Sequence, residues 1–309
     1  MSTHRLVARA ETTVQHFSRD HDAVLEIRPG DTLTVGSLDA SGFLERPTGP
    51  DHHPPVMFPT GRGHCLTGPI AVTGVTAGDV LAVRFDALTP GAWGWTVAGG
   101  FPTPVNDRLG VSGAEPARLI WELDAAAGTG VETHGFERRL APFLGVVGLA
   151  PAEPGEHSTI PPRPGTGGNI DCRELVVGST LYLPIQVDGA LLYLGDGHAA
   201  QGDGEVGGTA IECPMTTELT VDLASDRPLR SVHAETPAGA ITFGFSADLN
   251  EAMGDALDDM VTWMAADLAV ERTTALALAS TCVDLRVTQV ANQTWGVHAV
   301  LPPEALRRR

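Results

Sequence analysis

Three carboxylates and one imidazole fall within eleven residues, Gly195-Asp196-Gly197-His198-Ala199-Ala200-Gln201-Gly202-Asp203-Gly204-Glu205, with four glycines between them. Seven residues further on stands Glu212. Asp, Glu and His are hard-to-borderline ligands for a divalent cation, and they are also the groups of general acid–base chemistry. Glycines let the backbone turn tightly and gather such side chains around a small centre. The stretch reads as an active site built on a metal. The competing reading is an acidic surface loop of Gly and Asp turn residues. Gly202 to Gly207 fits the dinucleotide string G-x-G-x-x-G, but no strand enters directly, no helical pattern follows, and two acids would repel a pyrophosphate. A calcium loop starting at Asp203 places Gly207 and Pro214 where side-chain oxygens are needed.

The elements around this stretch are strand-like. Ala190-Leu191-Leu192-Tyr193-Leu194 reads as a buried strand leading into it. Earlier, Val24 to Ile27, Thr32 to Val35, Pro69 to Val72 and Val80 to Phe85 read as short strands, punctuated by the Gly-Asp turns at 30–31 and 78–79. Two Gly/Pro-rich stretches read as packed loops: Gly91 to Gly113, with Trp93, Trp95 and Phe101, and Pro151 to Gly168, with His157 and Arg163. The last third carries the one strong helical period. Ser246 or Asp248 caps a helix starting near Leu249, on which Leu249, Met253, Leu257, Met260, Val261, Met264 and Leu268 share one face. A second helix is expected over 274–281 and a strand over 284–290. The fold class is α+β, sheet-rich with helices concentrated in the C-terminal third, forming one unit over 1–309 with two subdomains meeting near 140–168.

A net charge of −18 disfavours nucleic acid and anionic membrane as partners. No run is apolar enough to span a bilayer and no leader pattern follows Met1, so a cytoplasmic protein is expected. The four cysteines, Cys65, Cys172, Cys213 and Cys282, lie far apart with no C-x-x-C spacing and read as reduced thiols. All twenty basic residues are Arg. That excludes Schiff-base chemistry, the Walker lysine and the lysine-dependent amide hydrolases. The G-x-S-x-G elbow is also absent.

Longer blocks carry a resemblance. Gly167 to Asp171, Leu181 to Ile185, Gly195 to Glu205 and Gly208 to Glu212 resemble the acetamidase/formamidase family. So do Thr67 to Ile70, Gly78 to Leu81, His157 to Arg163 and the tail Asp284 to Asn292. The resemblance implies hydrolysis of a short aliphatic amide to ammonia and a carboxylate by metal-activated water. It further implies zinc as the divalent metal, a small neutral amide as substrate, and a homodimer or dimer-based oligomer; a structural calcium is the alternative reading of the carboxylate cluster. It carries over to Asp171, Asp196, His198, Gln201, Asp203, Glu205 and Glu212, with His64 and Asp39 as additional polar positions. Gly197, Gly207 and Cys65 depart from the pattern, the two glycines in the direction of a wider pocket.

An amide needs its carbonyl polarised, a water deprotonated and its leaving nitrogen protonated. Asp196, His198 and either Asp171 or Glu212 are the expected ligands, and Glu205 the expected proton carrier, with Asp203 and Gln201 as further catalytic candidates. Arg173 is a candidate partner for Glu212. A cysteine–histidine nucleophile using Cys172 or Cys213 is a rival route. Two other functions compete: a non-catalytic metal- or amide-binding protein, and a tailoring enzyme acting on a larger C–N bond. His198 beside Asp196 argues against a pure calcium site, which prefers oxygen.

Overall fold

The computed structural model describes residues 2–224 and 229–307. Two sheets dominate. In the first, nine strands follow the spatial order Thr3–Val7, Asp31–Ser37, Met215–Leu223, Val80–Pro90, Thr180–Pro184, His233–Thr236, Gly239–Ser246, Trp295–Leu301 and Asp284–Gln289. The second sheet is centred on Phe143–Leu149, Leu192–His198, Leu66–Val72 and Trp93–Ala98. Its central strands are buried along their whole length, which accounts for their continuous apolar runs. Leu33, Val35, Leu81 and Val83 of the first sheet form one core with Ile70, Leu144, Leu149, Leu192 and Leu194 of the second.

Helices cover the far face of the first sheet. In Trp295–Leu301, Val300 joins the core between the sheets, while Val297 and Ala299 pack against Ala252, Ala256, Met260 and Met264 of the helix Leu249–Leu268. Gly244 lets that helix come close: a Cβ there would lie 1.9 Å from the Ala252 carbonyl oxygen. Asp248 caps this helix through the Asn250 amide, and the second long helix is Arg272–Cys282. The sheet-rich fold with its longer helices in the last third is therefore as read from the sequence. Met260 and Met264 are core residues, whereas Met253 is exposed.

The Gly91 to Gly113 stretch is not a loop. It forms the strand Trp93–Ala98 and the helix Pro104–Leu109, the latter with Thr103 as N-cap and proline in its first turn. Proline at a helix start is a start signal there, not a breaker. Likewise, Pro151 to Gly168 contains the short strands His157–Ser158 and Pro162–Arg163 and the start of Gly167–Asn169. Among the described residues, no helix is long and apolar enough to cross a membrane.

Candidate active site

The strand Leu192–His198 carries Asp196 and His198 into the interior. It pairs with Phe143–Leu149 on one side and with Leu66–Val72 and Glu212–Cys213 on the other. Register places His198 opposite Glu212. Asp196 and His198 are 2% and 1% exposed, so the surface-loop reading fails. The strand also begins later than expected, because Ala190 and Leu191 take left-handed backbone in a turn.

Two loops bring the remaining groups. Asp171 follows Gly167–Asn169, and the amides of Ile170 and Asp171 both donate to the Gly145 carbonyl, at 2.9 and 3.2 Å. Glu205 closes a turn in which its amide donates to the Gly202 carbonyl. Gly204 ties this turn to the other sheet: its amide donates to Thr288 O and its carbonyl accepts from Val290 N. The strand Asp284–Gln289 and the residue after it thus fasten the site loop. Asp171, Asp196 and Glu205 all have positive φ, at 53°, 57° and 43°. Such backbone stores on the order of 1–3 kcal/mol per residue and is concentrated where function holds it.

The side chains converge on His198. Its Nε2 lies 3.4 Å from Asp196 Oδ2 and 3.3 Å from Glu212 Oε2, and His64 Nε2 lies 3.9 Å from the same Asp196 oxygen. Ligand atoms of Asp196, His198 and Glu212 lie within 4.8 Å of one another, as do those of Asp171, His198 and Glu205. Gln201 sets the imidazole. Its amide nitrogen donates to the Asp171 carbonyl at 2.8 Å, so its Oε1 must face His198 Nδ1, 2.9 Å away, and accept a proton from it. Nε2 is left to face the carboxylates.

Other expected residues lie apart. Asp203 is exposed, and its carboxyl is raised by partial burial and by the charge of Glu174. Asp39 is buried beneath three donors, Trp95 Nε1, Ser41 N and Phe43 N. Burial holds its carboxyl up to about 6. Glu212 is partnered by the Ala210 amide and His198, not by Arg173. Cys213 is wholly buried and burial raises its thiol. The Cys172 thiol is raised in the same way and donates to Glu174, away from His198. Neither has the exposed, electropositive setting of a nucleophilic thiol.

Four carboxyl groups around one imidazole cannot all be charged in a dry interior. Burial, reinforced by the neighbouring acids, raises Asp171 and Glu205 well above the usual carboxylate range. Burial also pushes Glu212 up to about 7, against the pull of His198. For Asp196, burial is outweighed by His198 and His64, and its carboxyl is lowered. Burial disfavours the His198 imidazolium, but Glu212 and Asp196 outweigh it and raise its pKa. The cluster is short of positive charge, since four carboxyl groups share the one imidazole and the more distant His64. Both Asp171 oxygens, Asp196 Oδ1 and Glu212 Oε2 are buried without a hydrogen bond. Gly145 leaves room at the centre: a Cβ there would lie 2.4 Å from Asp196 Oδ2, 2.7 Å from Asp171 Oδ1 and 2.8 Å from His198 Cε1. Orphaned carboxylate oxygens drawn into a tight cradle that admits no side chain at 145, with an imidazole nitrogen aimed into them, fit a divalent cation.

Beside the cluster lies a cavity of about 310 Å³ walled by Thr96, Trp121, Arg138, Gly207 and Ile211, with Gln201 and Glu205 reaching it from the site. Trp93, Trp95 and Phe101 do not form this wall; Trp95 packs on Phe43 instead. The wall residues Thr96, Trp121 and Arg138 have no motif around them and were not readable from the sequence. Gly145 had one faint signal, a glycine inside an apolar strand, which marks a close approach.

Two measurements probe this arrangement. Gln201→Ala is expected to weaken metal binding about 10–100-fold by freeing the imidazole, read by competition with a chromophoric chelator; unchanged affinity would remove Gln201 from that role. Metal-free protein is expected to lose stability as pH rises from about 4.5 to 7. Glu212 titrates near 7 when folded against 4.5 when unfolded, so the folded state holds more protons across that window. The loss is at most about 1.4 kcal/mol per pH unit per group. His198, raised from 6.5, acts in the same direction above that value, whereas Asp196, lowered from 3.8, acts only below it. A higher Tm at pH 7 than at pH 5 in chelated protein would contradict this.

The family model described as the Acetamidase/Formamidase family matches residues 2–156 and 152–304. A formamidase-type protein of Schizosaccharomyces pombe is 28% identical over 252 residues, 60% of this chain and 61% of that protein. An acetamidase of Mycolicibacterium smegmatis is 44% identical over 66 residues, 21% of this chain and 16% of that one. The matched stretches therefore span less than two thirds of these sequence relatives. Among solved structures, an acetamidase from Bacillus halodurans superposes with a TM-score of 0.85 at 27% identity, covering 96% of this chain and 97% of that one. An acetamidase from Yersinia enterocolitica gives 0.85 at 26%, covering 99% and 93%.

Proposed function

The chain belongs to the acetamidase/formamidase family, and on that premise we propose that it hydrolyses a short aliphatic amide to ammonia and a carboxylate. The observation that carries this reading is the buried cluster of orphaned carboxylate oxygens opening on a cavity through Glu205. Asp196, His198 and Glu212, with Asp171 beside them, are the groups that would hold the ion, and the imidazole among them favours zinc. Such an ion supplies Lewis acidity, drawing electron density from a carbonyl and making water easier to deprotonate.

The chain's own residues divide the rest of the work. Among the four cluster carboxylates, Glu205 is the one that lines the cavity. It takes the proton from the attacking water and delivers it to the leaving nitrogen. Burial raises Glu205, and the positive charge of a bound ion would offset that rise and leave the carboxylate free to accept the proton. Gln201 holds the imidazole in place. Trp121 and Ile211 give the acyl chain an apolar wall and keep bulk water from it.

The substrate is a small neutral amide larger than formamide. Gly207 lies in the cavity wall, where a Cβ would come within 3.2 Å of Ala98. Gly197 contributes nothing to this width. A Cβ at 197 would meet Cys213 O at 2.6 Å and Met215 Cβ at 2.7 Å, inside the core. A methylene gained in an apolar pocket is worth about 10–200-fold in specificity, so kcat/KM is expected to rise from formamide through acetamide to propionamide. Ammonia release from each amide at matched enzyme concentration tests it. A steady fall along the series would show the pocket to be narrow. No ammonia from any amide, with metal bound, would leave a binding protein in place of an enzyme.

A further inference from the structure

A second buried cluster lies behind the first. Cys172, Glu174 and His298 are 0%, 8% and 0% exposed, and their ligand atoms lie within 4.8 Å of one another. Glu174 Oε2 is the shared point, 3.3 Å from Cys172 Sγ and 3.3 Å from His298 Nε2. The other carboxylate oxygen, Oε1, is taken by Arg286 at 2.8 Å, which leaves Oε2 for the centre. On the imidazole, Nδ1 is bonded to Thr288 Oγ1 at 2.8 Å. Nε2 makes no hydrogen bond, although it is fully buried and aimed at Oε2. If Nδ1 carries the ring proton, the Nε2 lone pair faces a carboxylate oxygen with nothing between them.

We propose that Cys172, Glu174 and His298 bind a second transition-metal ion, zinc by class, separate from the ion of the Asp196–His198–Glu212 cluster. A thiolate, an imidazole and a carboxylate form the mixed soft-to-borderline set that selects zinc or cobalt over calcium or magnesium. The thiol releases its proton to solvent on binding. Thr288 then acts as the outer partner that fixes the imidazole, and Arg286 as the partner that fixes the carboxylate, the usual support for metal ligands.

The position gives the ion a task. Cys172 and Glu174 stand on the loop that follows Gly167–Asn169 in one sheet, and His298 stands on Trp295–Leu301 in the other. Their joint ligation would tie the two sheets together immediately beside Asp171, the neighbour of Cys172 in the chain. The second ion is thus a clamp on the loop that places Asp171.

Reconstitution of the full chain with Co(II) after chelation separates the two sites. Wild-type protein is expected to take up about two ions per chain and to show thiolate-to-cobalt charge-transfer absorption in the near ultraviolet. Cys172→Ser, close to isosteric, is expected to lose that band and one of the two ions. Glu174→Gln is a second route to the same loss of one ion. His198→Ala, which strips the first cluster, is expected to keep the thiolate band, so failure of the first site and failure of the second are read independently. Wild-type protein saturating at one cobalt with no thiolate band would overturn the proposal, as would Cys172→Ser retaining both ions.

Discussion

Glu205→Gln is expected to lower kcat by about 10²–10⁴-fold while the purified protein keeps its metal and its fold. The amide is close in shape to the carboxyl it replaces, and it cannot exchange a proton near neutrality. Burial and the Asp171 carboxylate already drive Glu205 toward its neutral form. Glutamine therefore imitates the charge that Glu205 carries in the metal-free site, and the Tm of chelated protein is expected to hold or rise. Removing a group that ligates the ion would do the reverse, lowering metal content and leaving uncompensated buried charge. Metal analysis beside kcat thus decides the role. Loss of the ion makes Glu205 a ligand, since it also lies in one group with Asp171 and His198. Full activity moves proton transfer to another residue.

The separation of Glu205 from Asp203 shows where sequence reading stops. Both acids sit in one glycine-rich run two residues apart, and spacing alone makes them equivalent. Gly204, with φ 97°, and Glu205, with φ 43°, turn the chain, so that Glu205 enters the buried cluster and Asp203 faces solvent. The turn is held from outside by Thr288 and Val290, a contact of long sequence separation that no local pattern encodes. Asp196 and His198 were legible as a pair because two-residue spacing on a glycine-rich stretch lets both side chains face one centre. Their burial was not legible, because glycines suggest a loop. Gly195 and Gly197 are instead places of close packing: a Cβ at 195 would lie 2.9 Å from the Cys65 carbonyl. The C-terminal helices were readable because a 3.6-residue period is a local property. Trp121 and Arg138 reach the cavity from strands whose sequence reports only their own alternation. Asp39 resembled a site residue by type, and Trp95 and two backbone amides account for it as a buried structural carboxyl.

Gly145→Ala is expected to release the ion of the Asp196–His198–Glu212 cluster without removing any ligand. The added methyl would stand within 3 Å of Asp196 Oδ2, Asp171 Oδ1 and His198 Cε1, in the space their charges leave for a cation. The backbone at 145 lies outside the left-handed region, so alanine strains no torsion. Its carbonyl still accepts from Ile170 and Asp171. The clash falls on side-chain ends, and relief requires at least one ligand to swing away. Overpacking of this kind destabilises by about 1–3 kcal/mol, within what a 309-residue chain tolerates. Displacing the ligands themselves is expected to weaken metal affinity by more than the roughly 10–100-fold seen when only their outer partners are lost. Activity should fall with it, and added zinc should restore little. Metal titration of the variant, with circular dichroism to confirm the fold, checks the expectation. A folded Gly145→Ala protein that holds metal as tightly as the wild type would show that the ion does not lie between Asp171, Asp196 and His198.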